Sequence, residues 1–386
     1  MSGIKEHLEK CIIPFWKGLI DQENGGFFGY VSHDLVLDKR APKSIIAHAR
    51  YLYTFSLWYQ LFKDESLRMY MDHSYRFLKE AFYDQKQGGY IWMVDYQGHP
   101  INTTKHVYAQ SFVIYALSEY GIAISDQRIV HEAFDLFQLV DQHAYRDHCH
   151  YHEQFREDWT PLKNGLLAVH GLNLPYTTNT LLHLLEAYTN LYRAHQDDVL
   201  KDRILGLLKG FKDRLYHEDE KLFYMYFDED RRTKHLGQSY GHDIETCWLI
   251  DRTCDILNIE DPYIRRMTRD VAEYVYQRAM TSRGLLSEVI HGEQIEDRIW
   301  WIQAEAMVGF MNHYQKTNDE KYLKAVQDIY QFILNELVDH REGSEWFWGI
   351  DDKGNTLNDH GIAEAWKAPY HNGRALVELI KRGYEK

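Results

Sequence analysis

The chain has 386 residues, and its 44 Lys and Arg against 58 Asp and Glu leave a formal net charge of −14. So acidic a balance excludes nucleic acid or an anionic membrane as partner, because such binding depends on Lys and Arg displacing counterions. A hydrophobic content of 45% over this length excludes disorder and supports a large buried core.

Residues 1–17 interleave Lys5, Glu6, Glu9 and Lys10 with apolar positions, where a signal peptide needs an unbroken apolar run. No later stretch approaches the roughly 18 apolar residues of a membrane helix. The expectation is a soluble, cytoplasmic protein. Cys11, Cys149, Cys247 and Cys254 form no Cys-x-x-Cys pair, which predicts neither a disulfide framework nor a zinc site.

Two textures then alternate to the end of the chain. Short aromatic segments bounded by Gly or charged turns begin at Gly25, Gly88, His150, Lys221, Gly284 and Glu345, at steps of 63, 62, 71, 63 and 61 residues. Six occurrences at so regular a step predict six copies of one supersecondary unit. Each interval holds two helical patterns of different kind. Residues 177–192 carry one formal charge, Glu186, and are apolar nearly all round, as in a helix surrounded by protein. Residues 198–216 place Leu200, Ile204, Leu207, Leu208, Phe211 and Leu215 on one side and charges on the other, as in a helix with one wet face. The same contrast separates 240–256 from 261–278 and 299–314 from 319–336, with Asp197 and Asp319 at N-cap positions. Six inner helices ringed by six outer ones predict an all-α toroid with short β-hairpins in its loops, one (α/α)6-barrel domain over residues 1–386.

Polar residues on inner helices are the informative ones, since burying them costs free energy unless something binds them. Asn179 and His183, four apart, share a helix face, as do His242 and Glu245, three apart. Arg50 is the one formal charge between Ser44 and Leu61. Trp366, Pro369 and His371 stand at the start of the last helix, and Trp300 and Trp301 open the fifth inner helix. The set combines proton transfer, an anion clamp and flat apolar faces. Against it, a lone helical His is more often a bonded core residue, and Arg50 could equally be ion-paired with Glu245 or another carboxylate. His148, Cys149, His150 and His152 alternate like strand ligands, but other copies of the same hairpin hold aromatics and Gly there, so no metal is expected. Gly-rich phosphate loops, dinucleotide fingerprints and H-E-x-x-H are all missing.

The strings TKHVYAQSF from Thr104, SYGHDIE from Ser239, IWWIQAEAMVGF from Ile299 and WKAPYHNGR from Trp366 resemble, in this order and spacing, the N-acylglucosamine 2-epimerase superfamily, and within it the cellobiose 2-epimerases. The resemblance covers nearly the whole chain and implies an (α/α)6 barrel, in agreement with the six-copy count. It implies catalytic histidines at His242 and His371, a supporting His183, a carboxylate partner Glu245, and substrate contacts at Arg50, Tyr108, Asn179, Trp301 and Trp366. One position departs from the pattern: His48 stands where family members usually carry an amide.

Epimerisation at C2 of a reducing sugar requires ring opening, removal of the proton beside the aldehyde to give an enediolate, and return of a proton to the other face. Two bases on opposite walls are expected to do this, because imidazole titrates close to neutrality. Arg50 is expected to stabilise the enediolate oxygens, His183 with Asn179 to hold O1 and O2, and Glu245 to orient His242. No cofactor is expected, because nothing is oxidised overall. The expected partner is cellobiose, lactose or a related β-1,4 disaccharide, acted on by a monomer or homodimer. The rival is a mannose 2-epimerase or mannose isomerase acting on free glucose and mannose. A glycoside hydrolase would need two suitably placed carboxylates, and a silent sugar-binding module would not need both His242 and His371.

Overall fold

The computed structural model describes residues 3–167, 174–228, 230, 233–234 and 237–384. Among them twelve helices alternate between two layers. The even-numbered helices are inner: α2 (Ile45–Phe62), α4 (Val107–Ile124), α6 (Thr178–Ala194), α8 (Tyr240–Leu257), α10 (Trp300–Thr317) and α12 (Tyr370–Lys381). The odd-numbered ones are outer: α1 (three consecutive segments from Ile4–His7 through Leu8–Ile12 to Ile13–Gly18), α3 (Ser66–Phe77), α5 (Gln127–Ala144), α7 (Asp198–Gly210), α9 (Pro262–Ala279) and α11 (Glu320–Phe332). Each inner helix packs on the next, and α12 packs on α2, so the ring closes as an (α/α)6 barrel.

Local chemistry explains both layers. The inner helix α2 is buried continuously from Ile45 to Trp58, whereas the outer helix α5 buries only Ile129, Val130, Ala133, Leu136, Phe137, Val140 and Ala144, one stripe of its surface. Outer helices α5, α7, α9 and α11 start on Asp126, Asp197, Asp261 and Asp319, whose carboxylates accept from the first free backbone N–H groups. Four inner helices, α2, α4, α8 and α10, run for 18 residues and stop at a left-handed residue, Lys63, Ser125, Asn258 or Asn318.

A second ring, of β-pairs, lies at the N-terminal end of the inner helices. The strand leading into each inner helix pairs with the hairpin that precedes the next one. Lys43–Ser44 pairs with Met93–Val94, Lys105–His106 with Gln154–Phe155, Tyr176–Thr177 with Tyr226–Phe227, Gly237–Ser239 with Glu288–Ile290, and Arg298–Ile299 with Gly349–Ile350. A bridge between Val31 and Ala363 closes this ring. Buried lysines brace it: Lys43 bonds Asp21 and Lys105 bonds Asp84, both at 2.7 Å, and Lys367 bonds Glu345. Side chains on the first turns of the inner helices repeat as well. His48, Gln110, Asp243 and Gln303 occupy equivalent places, and each accepts a backbone N–H from its own hairpin: Phe27, Tyr90, Phe223 and Leu285 respectively. His48 therefore does the work of an amide, and Gly26 beside it (φ +67°) has no room for a Cβ, which would lie 2.6 Å from His48 Nε2.

Candidate active site

Two residues after the hairpin-binding position of α2, α4, α8 and α10, and at the equivalent places after Leu181 on α6 and Asn372 on α12, the inner helices turn a side chain toward the barrel axis. In chain order these are Arg50, Phe112, His183, Glu245, Glu305 and Arg374. One residue before the hairpin-binding position come His242 on α8 and His371 on α12, and two before it come Tyr108, Asn179, Trp301 and Tyr370. The barrel's internal symmetry thus gathers residues from all six units into one place. All nine residues singled out in the sequence line a single cavity of about 310 Å³, together with Trp300, Trp348, His360 and Glu364. Because the inner helices all begin at this end, their dipoles make the cavity favourable to negative charge.

Arg50 lies on one side. Its Nη1 donates to the Trp366 carbonyl at 2.6 Å and its Nη2 to the Tyr108 hydroxyl at 3.1 Å, while its guanidinium covers the Phe112 ring at 4.6 Å. The ion pair with Glu245 considered from sequence does not form, so Arg50 keeps its charge facing the cavity. Arg50 Nε and Asn179 Oδ1 are buried without a protein partner.

His242 and His371 lie on α8 and α12, the two helices flanking α10. The Trp301 ring sits between them, its centroid 4.7 Å from that of His242 and 5.6 Å from that of His371. Gly241 makes room for this indole, since a Cβ there would lie 2.7 Å from it. His371 Nδ1 is 2.7 Å from Glu305 Oε1, and His183 Nδ1 is 2.9 Å from Glu186 Oε2. His242 Nδ1 instead faces the Ser239 hydroxyl at 2.8 Å. The expectation that Glu245 orients His242 is therefore corrected. Although the two are one helical turn apart, the Glu245 carboxylate reaches across the barrel to Arg374 Nη2 at 2.9 Å.

Arg374 is the hub beneath the cavity. It is fully buried and bonds Glu186, Glu245 and Glu305, the last at 2.7 Å. Burial pushes Glu186 up, but Arg374, His183 and the Tyr370 hydroxyl together outweigh it and hold Glu186 at about 2. Burial and the neighbouring charge of Glu305 raise Glu245 well above the carboxylate range, and one of its oxygens has no partner. Burial raises Glu305 as well, against the pull of Arg374, and Glu305 accepts from Arg374, Trp248 and His371. Burial, then the positive charge of His183, lowers His242 to about 3. Burial, then Arg50 and Arg374, puts His371 well below the ordinary imidazole value. Both rings are neutral near pH 7, each with Nδ1 engaged and Nε2 left for the cavity.

Among the described residues, Glu245, Glu305 and His371 alone bring three metal-ligating side chains together. Arg374 stands between the two carboxylates and bonds both, taking the place a cation would need. His148, Cys149, His150 and His152 do not gather into such a group.

The supports Glu305 and Arg374 escape a reading confined to one helix, because His371 and Glu305 stand 66 residues apart, whereas Glu186 and Ser239 each lie three residues from the histidine they hold. Laying the six units in register would have found Glu305 and Arg374, since they share the axial position of Arg50 and His183. Trp348 and His360, stacked at 4.1 Å, belong to the sixth unit, whose aromatic signal in the sequence reads only as a repeat marker.

The model of the family N-acylglucosamine 2-epimerase (GlcNAc 2-epimerase) matches residues 26–375. A cellobiose 2-epimerase of Dictyoglomus turgidum is 41% identical over 384 residues, 99% of this chain and 98% of that protein. One from Ruminococcus albus is 38% identical, covering 100% and 99%. The solved structure of a cellobiose 2-epimerase from Bacillus thermoamylovorans superposes with a TM-score of 0.95 at 39% identity, covering 98% of each chain. The chain belongs to the N-acylglucosamine 2-epimerase family and is a carbohydrate epimerase, an isomerase that acts at C2 of a sugar.

Proposed function

We propose that this family member interconverts the glucose and mannose configurations at C2 of the reducing-end residue of cellobiose and related β-1,4 disaccharides, with His242 and His371 as the proton carriers. The observation that carries the reading is the pair of imidazoles on α8 and α12, each with Nδ1 held and Nε2 unengaged, lining one cavity with Arg50. After ring opening, one Nε2 takes the C2 proton. The C–H electron pair moves into a C1–C2 double bond, and the carbonyl pair moves onto O1, giving an enediolate. The other histidine, neutral in the resting site, takes a proton from solvent and delivers it to the opposite face of C2 as the enediolate collapses to the epimeric aldehyde, and the first histidine returns its proton to solvent, so that no protons or electrons are gained.

Arg50 and the inner-helix N-termini stabilise the charge on O1 and O2. His183, fixed by Glu186, and the Asn179 amide, donating through Nδ2, hold those oxygens. Trp301 and Trp366 offer flat faces to the pyranose rings, Trp366 to the second ring. The near-complete coverage of cellobiose 2-epimerases at up to 41% identity supports a disaccharide substrate.

The test is product analysis after incubation with cellobiose, lactose, glucose and mannose separately. The mannose-configured epimer of cellobiose or lactose as main product is the expected result. Exclusive turnover of glucose and mannose would assign the protein to free monosaccharides, and release of monosaccharides from cellobiose would make it a hydrolase.

A further inference from the structure

Three of the residues just before inner helices cap them with a side chain; Ile299 and Pro369 have no group that could, and Ser239 has one but does not use it so. Ser44 Oγ accepts from Ala47 N at 3.1 Å, His106 Nδ1 from Tyr108 N at 3.1 Å, and Thr177 Oγ1 from Thr180 N at 3.2 Å, each capping its helix. Ser239 stands at the same place before α8 with extended backbone (φ −108°, ψ 106°), yet its side chain caps nothing. Its hydroxyl lies 2.8 Å from His242 Nδ1. Pairing of Ser239 with Glu288 across the β-ring fixes the backbone that carries the hydroxyl.

We propose that Ser239 is a positioning residue for His242, its hydroxyl withdrawn from the helix cap to hold Nδ1 and aim Nε2 at the sugar's C2. A hydroxyl suits this position in a way a carboxylate does not. It accepts from Nδ1–H when the ring is protonated and, by rotating its own hydrogen, either accepts from or donates to Nδ1 when the ring is neutral. The bond therefore survives both protonation states without fixing the tautomer. Glu305, by contrast, accepts only, and it keeps the hydrogen of His371 on Nδ1.

The inference rests on the two-histidine reading above. The experiment follows deuterium at C2 by proton NMR in heavy water, starting from cellobiose and separately from its mannose-configured epimer, in recovered substrate and in product. Ser239→Ala is expected to lower kcat about tenfold with KM within about twofold, because orientation is lost and not binding. From the epimer that His371 deprotonates, the ratio of substrate exchange to epimerisation rises, since only proton delivery through His242 is impaired. From the other epimer, exchange and epimerisation fall together. Ser239→Thr, which keeps the hydroxyl and places the residue type of Thr177 at the equivalent position, restores both. An unchanged kcat, or proportional losses of exchange and epimerisation from both epimers, would overturn the role of Ser239. Absence of deuterium at C2 with the unmodified protein would overturn the two-histidine reading itself, a separate outcome.

Discussion

His242 and His371 occupy the same position in the fourth and sixth units of one repeat, yet they are supported differently. His371 stands on a buried carboxylate tied to Arg374, and His242 stands on a serine hydroxyl at the rim of the β-ring. The fold supplies the shared position. What each imidazole can do is set by the neighbour at Nδ1, which the repeat leaves free to vary. A carboxylate stabilises the imidazolium and fixes the tautomer, whereas a hydroxyl leaves both open.

The harshest way to break the comparison is to remove one carrier. His371→Ala should lower kcat by about 10³-fold or more, within reach of the loss of a general acid–base, while a thermal melt shows the fold intact. Near-normal activity would take His371 out of the mechanism. Glu305→Gln keeps an acceptor for Nδ1–H but deletes the charge behind it, and should cost about 10²-fold in kcat. That loss should exceed the one from Ser239→Ala, and the reverse order in kcat would invert the comparison. Trp366→Ala touches neither imidazole. It should reduce kcat/KM for cellobiose about tenfold more than for glucose, and equal losses would remove the indole from the second sugar's path.

The smallest effect concerns an imidazole outside the cavity. His48 donates through Nδ1 to the Ser44 carbonyl at 2.8 Å and accepts the Phe27 N–H through Nε2 at 3.0 Å. Burial, only partly offset by its bond to Ser44, lowers it from 6.5 to about 3. Between those values the unfolded chain binds a proton that the folded chain refuses. Its share of stability is therefore complete above pH 6.5 and lost as pH falls toward 3. His48→Gln, which places at this position the amide that Gln110 and Gln303 supply in their own units, should fold and lose stability less steeply with acid, by up to about 1.4 kcal/mol per pH unit. Denaturant melts at pH 7 and pH 5 check it, and identical acid dependence would show that His48 is not held neutral.

The six-unit barrel is legible in the sequence because it is written in periodicities: aromatic hairpins at near-constant steps and helices that are either apolar all round or striped. The cavity residues are legible because a polar group inside an apolar helix stands out. Their partners are not. The spacing of three between His242 and Glu245 suggests a pair, but the Glu245 carboxylate lies deeper along the axis, where Arg374 attracts it more strongly than a neutral ring. Glu186 is visible as a lone charge, yet its helix alone gives no sign of the arginine it bonds. Ser239 reads as part of a motif, and its failure to cap a helix shows only in coordinates.

The central claim is that protons reach and leave C2 through imidazole, and turnover of cellobiose in heavy water tests it most directly. Imidazole N–H exchanges with solvent whenever the site opens, so proton NMR should find deuterium at C2 of the epimerised product, approaching full occupancy over many turnovers. A product carrying only the original hydrogen at C2 would contradict the enediolate and the roles of both histidines.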